Sequence, residues 1–345
     1  MACSIGSGIS SARPNGRTAT AEPAGSGEFG RIARYFAPLA KAPGALGLLD
    51  DAALLTLPPG EELVVTADAL VEGVHFLADD PPDLIARKLL RCNLSDLAAM
   101  AARPVAYVMT MALPKRCDDG WVERFALGLS ADQAEFGIVL LGGDSVSTPG
   151  PITLSLTAFG RVAAGRAVRR SGARPGDLLY VSGTIGDGAL GLLAATDRLN
   201  GADAADRSWL ADRYRLPRPR TGLGPLLAGL ASAMMDISDG LVGDLDHIAE
   251  TSGVAAVIEA ASVPLSPAAA SVLALDPALL ELVLTGGDDY ELLFTAPPGA
   301  DVAQASAAAG VPVARIGRIE AGQGVRVVDR AGNEIALAQR GFRHG

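Results

Sequence analysis

The sequence predicts an α/β fold in two domains, with mixed sheets and flanking helices. The chain has 345 residues, which is longer than a single hydrophobic core usually serves. Segments with strand and helix periodicity follow one another in both halves, without the strict alternation of a doubly wound sheet. A basic stretch containing Gly and Pro, residues 165–177, separates the halves and is the predicted domain junction.

The first domain is predicted over residues 28–163. Residues 1–27 precede it, lack an apolar core and are expected to be a disordered extension. The segment GEFGRIARYF carries apolar residues at helical spacing, and Gly137 is expected to end a later helix. The elements between are the strand ELVVTADAL, the helix PDLIARKLLRCNLSDLAAMAA, the strand RPVAYVMTMALP, the helix DGWVERFALGLSADQAEFG, the short strand IVLLGGDS running into a tight turn, and the strand PITLSLTAFGRV.

The second domain is predicted over residues 164–345. It begins with the strand LLYVSG and a helix around GDGALGLLAAT; the segments VAAVIEA, YELLFTA and VPVARIGRIE follow, and DRAGNEI predicts a hairpin. Between the first strand and helix, SGTIGDGALG (residues 182–191) has the glycine density of a phosphate-cradling loop. A tight strand-to-helix turn explains the same glycines at least as well, so both interpretations stay open.

Charge and cysteine usage limit the partners and the compartment. The 39 acidic and 29 basic residues give a net charge of −10, which argues against nucleic acid or an anionic membrane as the main partner. The three cysteines form neither a disulfide framework nor a zinc motif, which favours the reducing cytoplasm. No segment offers the roughly 18–20 apolar residues that span a bilayer, and three histidines exclude a His-rich metal site.

Aspartates recur at the ends of apolar segments, beside Gly, Ser or Thr. The motifs are LLDDAALL (Asp50, Asp51), VVTADAL (Asp68), CNLSDLAAM (Asp96), LLGGDSVS (Asp144), MMDISDGL (Asp236, Asp239) and LTGGDDYELLF (Asp288, Asp289). Such carboxylates lie at the rims of buried elements, where an unpaired charge is costly. Lys and Arg are scarce beside them, whereas Mg²⁺ binds carboxylate and water oxygens and bridges to phosphates. The sequence therefore predicts a shared magnesium site.

Single residues of this set also have simpler explanations, as helix caps or turn residues. Asp236 and Asp239 precede a predicted helix, and the start of a helix favours a negative charge. One of the two carboxylates would be enough for that role. The following segment GDLDHIAE, residues 243–250, is expected mostly on a solvent face. Taken alone, His75 is more simply a half-buried histidine with one backbone partner, and Arg170 part of a solvated linker pair.

Several familiar phosphate-site and nucleophile motifs do not occur in the sequence. It contains neither a P-loop G-x-x-x-x-G-K-[ST] nor the kinase motifs H-R-D and D-F-G. Local spacing suggests no Ser–His–Asp or Cys–His arrangement for nucleophilic catalysis. The residues alone thus predict a magnesium-dependent, two-domain protein that acts on phosphates, and they identify no substrate.

A series of motifs, in one order from residue 28 onward, resembles the thiamine-monophosphate kinases, which belong to the superfamily of aminoimidazole ribonucleotide synthetase. The motifs are GEFGRIARYF, DDAAL, VVTADALVEGVHF, NLSDLAAMAA, LLGGDS, RSGARPGD with LYVSG, DISDGL and GGDDYELLF. The resemblance implies a two-domain aminoimidazole ribonucleotide synthetase-like fold and ATP-dependent phosphorylation of thiamine monophosphate to thiamine diphosphate. It also implies a homodimer whose N-terminal domains join their sheets, with the active site in the cleft between the two domains.

The resemblance further implies roles for individual residues. Several magnesium ions would be held by Asp51, Thr66, Ala67, Asp68, Asp96, Asp144, Asp236 and Asp239. ATP would contact Gly143, Asp144, Arg170 and Ser238. Thiamine monophosphate would contact His75, Asp288 and Phe342. No residue is expected to form a covalent intermediate, because no motif presents an activated nucleophile beside a base.

Three positions depart from the family pattern. Leu49 precedes the Asp50–Asp51 pair where the family usually has Gly, Ala67 stands where Thr is common, and Asp288 is one methylene shorter than the usual Glu. Two other functions stay open: a different ATP-using enzyme of the superfamily, such as a ring-closing synthetase, and a non-catalytic, dimeric maturation or binding protein. The GGDDYELLF segment and the motif around His75 argue against the synthetase.

Overall fold

Two β-sheets, one of four strands and one of six, form the framework of the protein. The computed structural model describes residues 28–339 and residue 341. Residues 61–163 supply the smaller sheet, and residues 178–328 supply the larger one. Both sheets contain parallel and antiparallel neighbours, so the predicted α/β class with mixed sheets is confirmed.

The smaller sheet consists of β1 (Glu61–Val71), β2 (Arg103–Leu113), β3 (Val139–Ser147) and β4 (Thr153–Ala163). The order across the sheet is β1-β4-β2-β3, so β1 and β3 are its two edges. Alternation along β1 buries Val64 and Leu70 and exposes Val65, as the period of a strand requires. Thr66 and Asp68 have the same parity as the buried residues, so β1 carries polar groups on its core face.

Two long helices cover the core face of the smaller sheet. The first element of the described residues is α1 (Glu28–Arg31), which continues as a π-helical turn over Ile32–Phe36 and is thus less regular than predicted. The covering helices are α2 (Pro82–Ala99) and α3 (Asp119–Phe136), and each buries one face against the strands. Gly137 ends α3 in the left-handed conformation, with φ 67°, as its position predicts.

The larger sheet lies between two groups of helices. Its strands are β5 (Leu178–Ser182), β6 (Ala233–Asp236), β7 (Ala255–Glu259), β8 (Leu292–Ala296), β9 (Val313–Glu320) and β10 (Gly324–Val328), in the order β10-β7-β9-β5-β8-β6. The helices of this half are α4 (Asp187–Ala195), α5 (Ala204–Arg215), α6 (Leu241–Ser252), α7 (Pro267–Leu275), α8 (Leu280–Thr285) and α9 (Val302–Ala309). Among the described residues, no helix is both long and apolar enough to cross a bilayer.

The C-terminal end of α2 connects the two sheets. Ala98 and Ala99 share a hydrophobic cluster with Met234 of β6 and with Leu292 and Phe294 of β8. Earlier residues of the same helix pack into the core of the smaller sheet. The helix therefore fixes how the smaller sheet faces the β6 edge of the larger one.

Two local predictions need correction. The segment IVLLGGDS does not turn after a short strand, because β3 continues to Ser147 in parallel pairing with β2. The segment DRAGNEI forms a turn that is closed by a single bridge between Val328 and Glu334, without a second strand of a hairpin.

Gly128 lies where α3 crosses the start of α2. A Cβ atom at this position would lie 2.3 Å from the carbonyl oxygen of Asp83. We expect Gly128→Ala to lower the free energy of unfolding by about 1–3 kcal/mol, because backbone atoms must move apart. Gly120→Ala, in the first turn of the same helix, meets only the Asp118 carboxylate at 3.4 Å and should be neutral or slightly stabilising. Urea unfolding compares the two variants, and equal stabilities would contradict the close contact.

Candidate functional site

A cavity of about 610 Å³ opens where β1 and α2 meet the loops at the β6 edge of the larger sheet. Its lining includes several carboxylates together with apolar side chains of α4 and α8. The cavity brings together these residues predicted from the sequence: Asp68, His75, Asp96, Asp236, Ser238, Asp239 and Asp288. Both halves of the chain thus contribute to one site.

Asp68 and Asp96 come together because α2 packs on the core face of β1. The Thr66 hydroxyl donates a hydrogen bond of 2.6 Å to Oδ2 of Asp96. Asp68 follows two residues later on the same face of the strand. Ala67, between them, is exposed on the opposite face. The strand and the helix therefore supply two carboxylates and one hydroxyl to the same corner of the cavity.

Asp236 is the last residue of β6 and is buried. After it, the chain turns into α6, and the backbone N–H groups of Ser238, Asp239 and Gly240 all donate to Oδ2 of Asp244, at 3.0, 3.1 and 3.1 Å. Asp244 thereby serves as the carboxylate at the helix start. The simple capping explanation therefore applies to Asp244 and not to Asp236 or Asp239.

The segment GDLDHIAE is not mostly a solvent face, which corrects the prediction. Only His247 and Glu250 of its eight residues are exposed. Asp244 is buried because it points back to the loop before α6. Burial and the charge of Asp239 raise the pKa of Asp244 to about 7.

Asp68, Asp96 and Asp236, the central carboxylates, repel one another in a partly desolvated corner. Burial, the charge of Asp96 and a hydrogen bond to it raise the pKa of Asp68 to about 7. Burial and the charge of Asp96 raise the pKa of Asp236 well above its ordinary value. Burial raises the pKa of Asp96 as well, although the Thr66 hydroxyl and the charge of Arg170 act in the opposite direction. Within residues 28–339 and 341, no ion pair includes any of the three.

The chemistry of the central carboxylates suits a hard divalent cation. Mg²⁺ is usually bound through one or two carboxylates together with water and phosphate oxygens. Asp68 and Asp96 offer such a pair, and a cation there would offset the burial that raises both pKa values and the charge of Asp96 that adds to the pKa of Asp68. The described part of the chain contains no group of three or more His, Cys, Asp or Glu already arranged to hold a metal ion. Water and phosphate would therefore have to complete the coordination.

His75 and Asp288 line the same cavity. Nδ1 of His75 accepts a hydrogen bond of 3.0 Å from the backbone N–H of Val71, so a neutral ring carries its proton on Nε2. The backbone N–H of Asp288 donates to the Ser238 carbonyl at 2.9 Å. Gly287 permits this approach, since a Cβ atom there would lie 2.1 Å from the same carbonyl oxygen. The GGDD segment is therefore held against the loop that follows β6.

Two acidic residues of the GGDDYE segment, Asp288 and Glu291, have protein cations as partners, unlike the central carboxylates. Lys88 Nζ lies 3.1 Å from Oδ2 of Asp288. Glu291 is fully buried and pairs with Arg220 and, at 3.5 Å, with Arg213. Basic residues are scarce beside these motifs in sequence, but the fold brings Lys88 to Asp288 across 200 positions. The argument for a metal ion therefore applies to the central carboxylates and not to this segment.

Asp289 decides between the two interpretations of the glycine-rich loop after β5. Its buried carboxylate accepts hydrogen bonds from the backbone N–H groups of Gly186 and Gly188, at 2.7 and 3.0 Å. A phosphate-cradling loop would offer such N–H groups to a ligand. Because they are already used within the protein, the structure favours the tight strand-to-helix turn.

Gly143 and Asp144 lie in a second cavity, of about 370 Å³. The pairing register of the smaller sheet aligns Asp68 of β1 with Leu156 of β4, Met109 of β2 and Gly143 of β3. Neighbouring strands are about 4.8 Å apart, so Asp68 and Gly143 are separated by roughly 14 Å across the sheet. Within one chain, the predicted ligand residues therefore form two groups.

Asp51 lines the second cavity together with Asp144. Shortly before it, Leu46 and Leu48 have φ angles of 52° and 59°, in the left-handed region that favours glycine. Leu49 stands where the family usually has Gly before the Asp pair, and its neighbours Leu46 and Leu48 adopt backbone conformations that favour glycine. Arg170 lies close enough to Asp96 to lower its pKa.

Phe342 and the extension of residues 1–27 lie outside the described residues. The residues that sequence reasoning missed are Lys88, which pairs with Asp288, Tyr214, which lines the main cavity, and Asp244 at the start of α6. One signal was available for Lys88, because it precedes Cys92 and Asp96 by four and eight residues on α2 and so shares their helix face. Asp244 carried no comparable signal, because its role depends on the turn that precedes α6.

Comparison with known proteins identifies the family. The model "AIR synthase related protein, N-terminal domain" matches residues 49–162, and "AIR synthase related protein, C-terminal domain" matches residues 174–330. A thiamine-monophosphate kinase of Caulobacter vibrioides is 46% identical over 324 residues, which cover 92% of this chain and 91% of that protein. The chain belongs to the thiamine-monophosphate kinase family. The resemblance and the two-domain aminoimidazole ribonucleotide synthetase-like fold are thereby confirmed, and the protein is a phosphotransferase.

Other members of the thiamine-monophosphate kinase family agree in sequence and in fold. The Escherichia coli K12 enzyme is 41% identical, over 92% of this chain and 98% of its own. The crystal structure of the Stenotrophomonas maltophilia K279a enzyme superposes with a TM-score of 0.75 at 44% identity, covering 81% of this chain and 89% of that one. AaThiL, complexed with AMPPCP and TMP, gives a TM-score of 0.73 at 30% identity, with coverages of 88% and 97%.

Proposed function

We propose that the protein transfers the terminal phosphoryl group of ATP to thiamine monophosphate, forming thiamine diphosphate and ADP, as the last step of thiamine diphosphate biosynthesis. The observation that carries this proposal is the convergence of the central carboxylates with His75 and Asp288 in one cavity. The family member AaThiL has been solved with AMPPCP and TMP, which supports both substrates. The cysteine usage supports a cytoplasmic location.

The proposed roles follow the family motifs. Magnesium ions are assigned to Asp51, Thr66, Ala67, Asp68, Asp96, Asp144, Asp236 and Asp239. ATP is assigned to Gly143, Asp144, Arg170 and Ser238, and thiamine monophosphate to His75, Asp288 and Phe342. Ala67 can contribute only its backbone carbonyl, because its side chain has no donor atom.

The chain's own contribution is to position the terminal phosphate of ATP and the phosphate of thiamine monophosphate, which repel each other. Bound magnesium would neutralise the negative charge on these phosphates. The central carboxylates determine where the magnesium binds, and Arg170 adds a positive charge near Asp96. His75 and Asp288, which line the same cavity, hold the acceptor. Correct positioning in one cavity supplies a large part of the rate enhancement in such reactions.

Direct in-line transfer, without a phosphorylated protein, fits the side chains of the cavity. The acceptor phosphate is already anionic and needs no base to attack. Cys92 lines the cavity, but burial raises the pKa of its thiol well above the ordinary value, so little thiolate is present at neutral pH. Nδ1 of His75 is occupied by the Val71 N–H.

A homodimer that joins the smaller sheets explains the separation of the two cavities. β1 and β3 are edge strands, which are ready to pair with another chain. Leu63 and Val65 expose 41% and 54% of their surface on the outer face of β1, which favours a protein partner. Placing the β3 edge of a second copy beside β1 would bring the residues of the second cavity close to Asp68. We place the domain boundary between residues 163 and 164, directly after β4 ends at Ala163. All four strands of the smaller sheet then belong to the domain that forms the dimer.

Turnover of the full-length protein tests the proposed function. Purified protein is incubated with ATP, thiamine monophosphate and Mg²⁺, and thiamine phosphates and ADP are separated by chromatography. We expect thiamine diphosphate and ADP in equal amounts, only with both substrates, with activity lost in excess chelator and restored by Mg²⁺. ADP formation that is independent of thiamine monophosphate would favour another enzyme of the superfamily. ATP binding without turnover would favour a non-catalytic binding protein.

A further inference from the structure

Lys88 is a buried cation on α2 that contacts the second half of the chain. It is 2% exposed and lies on α2, on the same helix face as Cys92 and Asp96, which line the main cavity. An α-helix rises about 1.5 Å per residue, so Lys88 and Asp96 mark the ends of a stripe roughly 12 Å long. One end carries the central carboxylates, and the other carries Lys88.

The ammonium group of Lys88 contacts two side chains from the second half of the chain. Nζ lies 3.1 Å from Oδ2 of Asp288 and 3.8 Å from the centre of the Tyr214 ring. The other oxygen of the same carboxylate, Oδ1, accepts a hydrogen bond of 3.1 Å from the Tyr290 hydroxyl. Asp288 nevertheless keeps 29% of its side chain exposed and lines the cavity. Its carboxylate is therefore held from two directions and remains accessible to a ligand.

Lys88 keeps its positive charge despite burial. Burial alone would lower the pKa of a lysine and favour its neutral form. Burial is the largest single influence on Lys88, but the charge of Asp288, the hydrogen bond to it and smaller contributions from Tyr214 and Cys92 together outweigh burial and raise the pKa of Lys88 above its ordinary value. A buried ion pair is not needed for stability as such, because well-packed apolar side chains often stabilise a fold equally well.

We propose that Lys88 is a positioning residue that fixes the Asp288 carboxylate for the binding of thiamine monophosphate. Asp288 is one methylene shorter than the Glu usual in the family, and its backbone adopts a left-handed φ of 69°. Lys88 and this backbone conformation together set where the shorter carboxylate lies. The amino group of the substrate's pyrimidine ring is a donor that such a fixed carboxylate can bind. The inference rests on the proposed function.

Steady-state kinetics of Lys88→Met test the inference. We expect KM for thiamine monophosphate to rise about tenfold, with kcat changed less than about threefold and KM for ATP unchanged, because only uniform substrate binding is lost. Asp288→Asn should raise the same KM. Because Lys88 acts through Asp288, the double variant should be no worse than Asp288→Asn alone. Lys88→Gln, which keeps a hydrogen-bond donor without the charge, is the second variant, and the exposed Lys115→Met is the control.

The outcomes separate this inference from the proposed function. If the wild-type protein forms no thiamine diphosphate, the proposed function itself fails. If the wild type is active and folded Lys88 variants keep the wild-type KM for thiamine monophosphate, the positioning role is overturned. It is also overturned if the effects of Lys88→Met and Asp288→Asn multiply in the double variant, or if KM for ATP rises equally. Circular dichroism and melting temperatures establish which variants are folded.

Discussion

Asp96→Asn is expected to lower the rate of thiamine diphosphate formation by about 100-fold or more, because even residues that only support metal ligands contribute about 10–100-fold. Asp96 lies beside Asp68 and Asp236 and raises the pKa of both. It also accepts the Thr66 hydrogen bond. Burial disfavours the charged form of Asp96, and this charge repels Asp68 and Asp236. A neutral amide removes both penalties, so the melting temperature should stay the same or rise. The measurement is kcat at saturating ATP, thiamine monophosphate and Mg²⁺.

Asp212→Asn is the matched control for this substitution. Asp212 is an exposed carboxylate on α5, so the same chemical change there should leave kcat within about twofold of wild type, as surface substitutions usually do. Equal losses of kcat at both positions would mean that activity depends on the overall negative charge of the protein and not on a site at Asp96. Wild-type turnover of Asp96→Asn would contradict the role of the central carboxylates.

Asp132→Ala is expected to give the largest loss of stability, about 3–5 kcal/mol in the free energy of unfolding, because it leaves a buried cation without its main partner. Asp132 is fully buried on α3 and accepts from Arg91 at 2.7 and 2.9 Å and from Arg87 at 2.7 Å. These contacts join α3 to α2, the helix that also carries Asp96. Urea unfolding measures the change.

Glu135→Ala provides the comparison, because Glu135 pairs with the same two arginines from the same helix. Its side chain is 49% exposed, so water replaces much of what the substitution removes. We expect a loss of about 1 kcal/mol or less, as for other exposed ion pairs. A loss as large as that of Asp132→Ala would show that burial does not govern these contacts.

Local periodicity was sufficient to predict most of the fold. The strand around Asp68, the long helix around Asp96 and the helix that ends at Gly137 all follow from the spacing of apolar residues, and the structure contains each of them. The course of β3 beyond Gly143 could not be predicted in this way. Glycines normally interrupt a strand, and only parallel pairing with β2 keeps this one extended to Ser147.

The candidate site was predictable in its residue types and not in its spatial grouping. The carboxylates of Asp68, Asp96 and Asp236 do meet in one cavity, as their shared setting indicates. The distance between Asp68 and Gly143 depends on strand order, which no local pattern encodes. The partnership of Lys88 with Asp288 spans 200 positions and likewise depends on tertiary packing.

Anomalous diffraction from crystals grown with Mn²⁺ and a non-hydrolysable ATP analogue tests the central claim most directly, since Mn²⁺ takes the same carboxylate and water ligands as Mg²⁺. The central carboxylates are predicted to surround an anomalous peak in the wild-type protein, with oxygen atoms of Asp68, Asp96 or Asp236 in direct contact with the ion. The same peak is predicted to be lost or strongly weakened in Asp96→Asn. Manganese bound only elsewhere, with no peak in contact with any of these three residues, would contradict the proposed site.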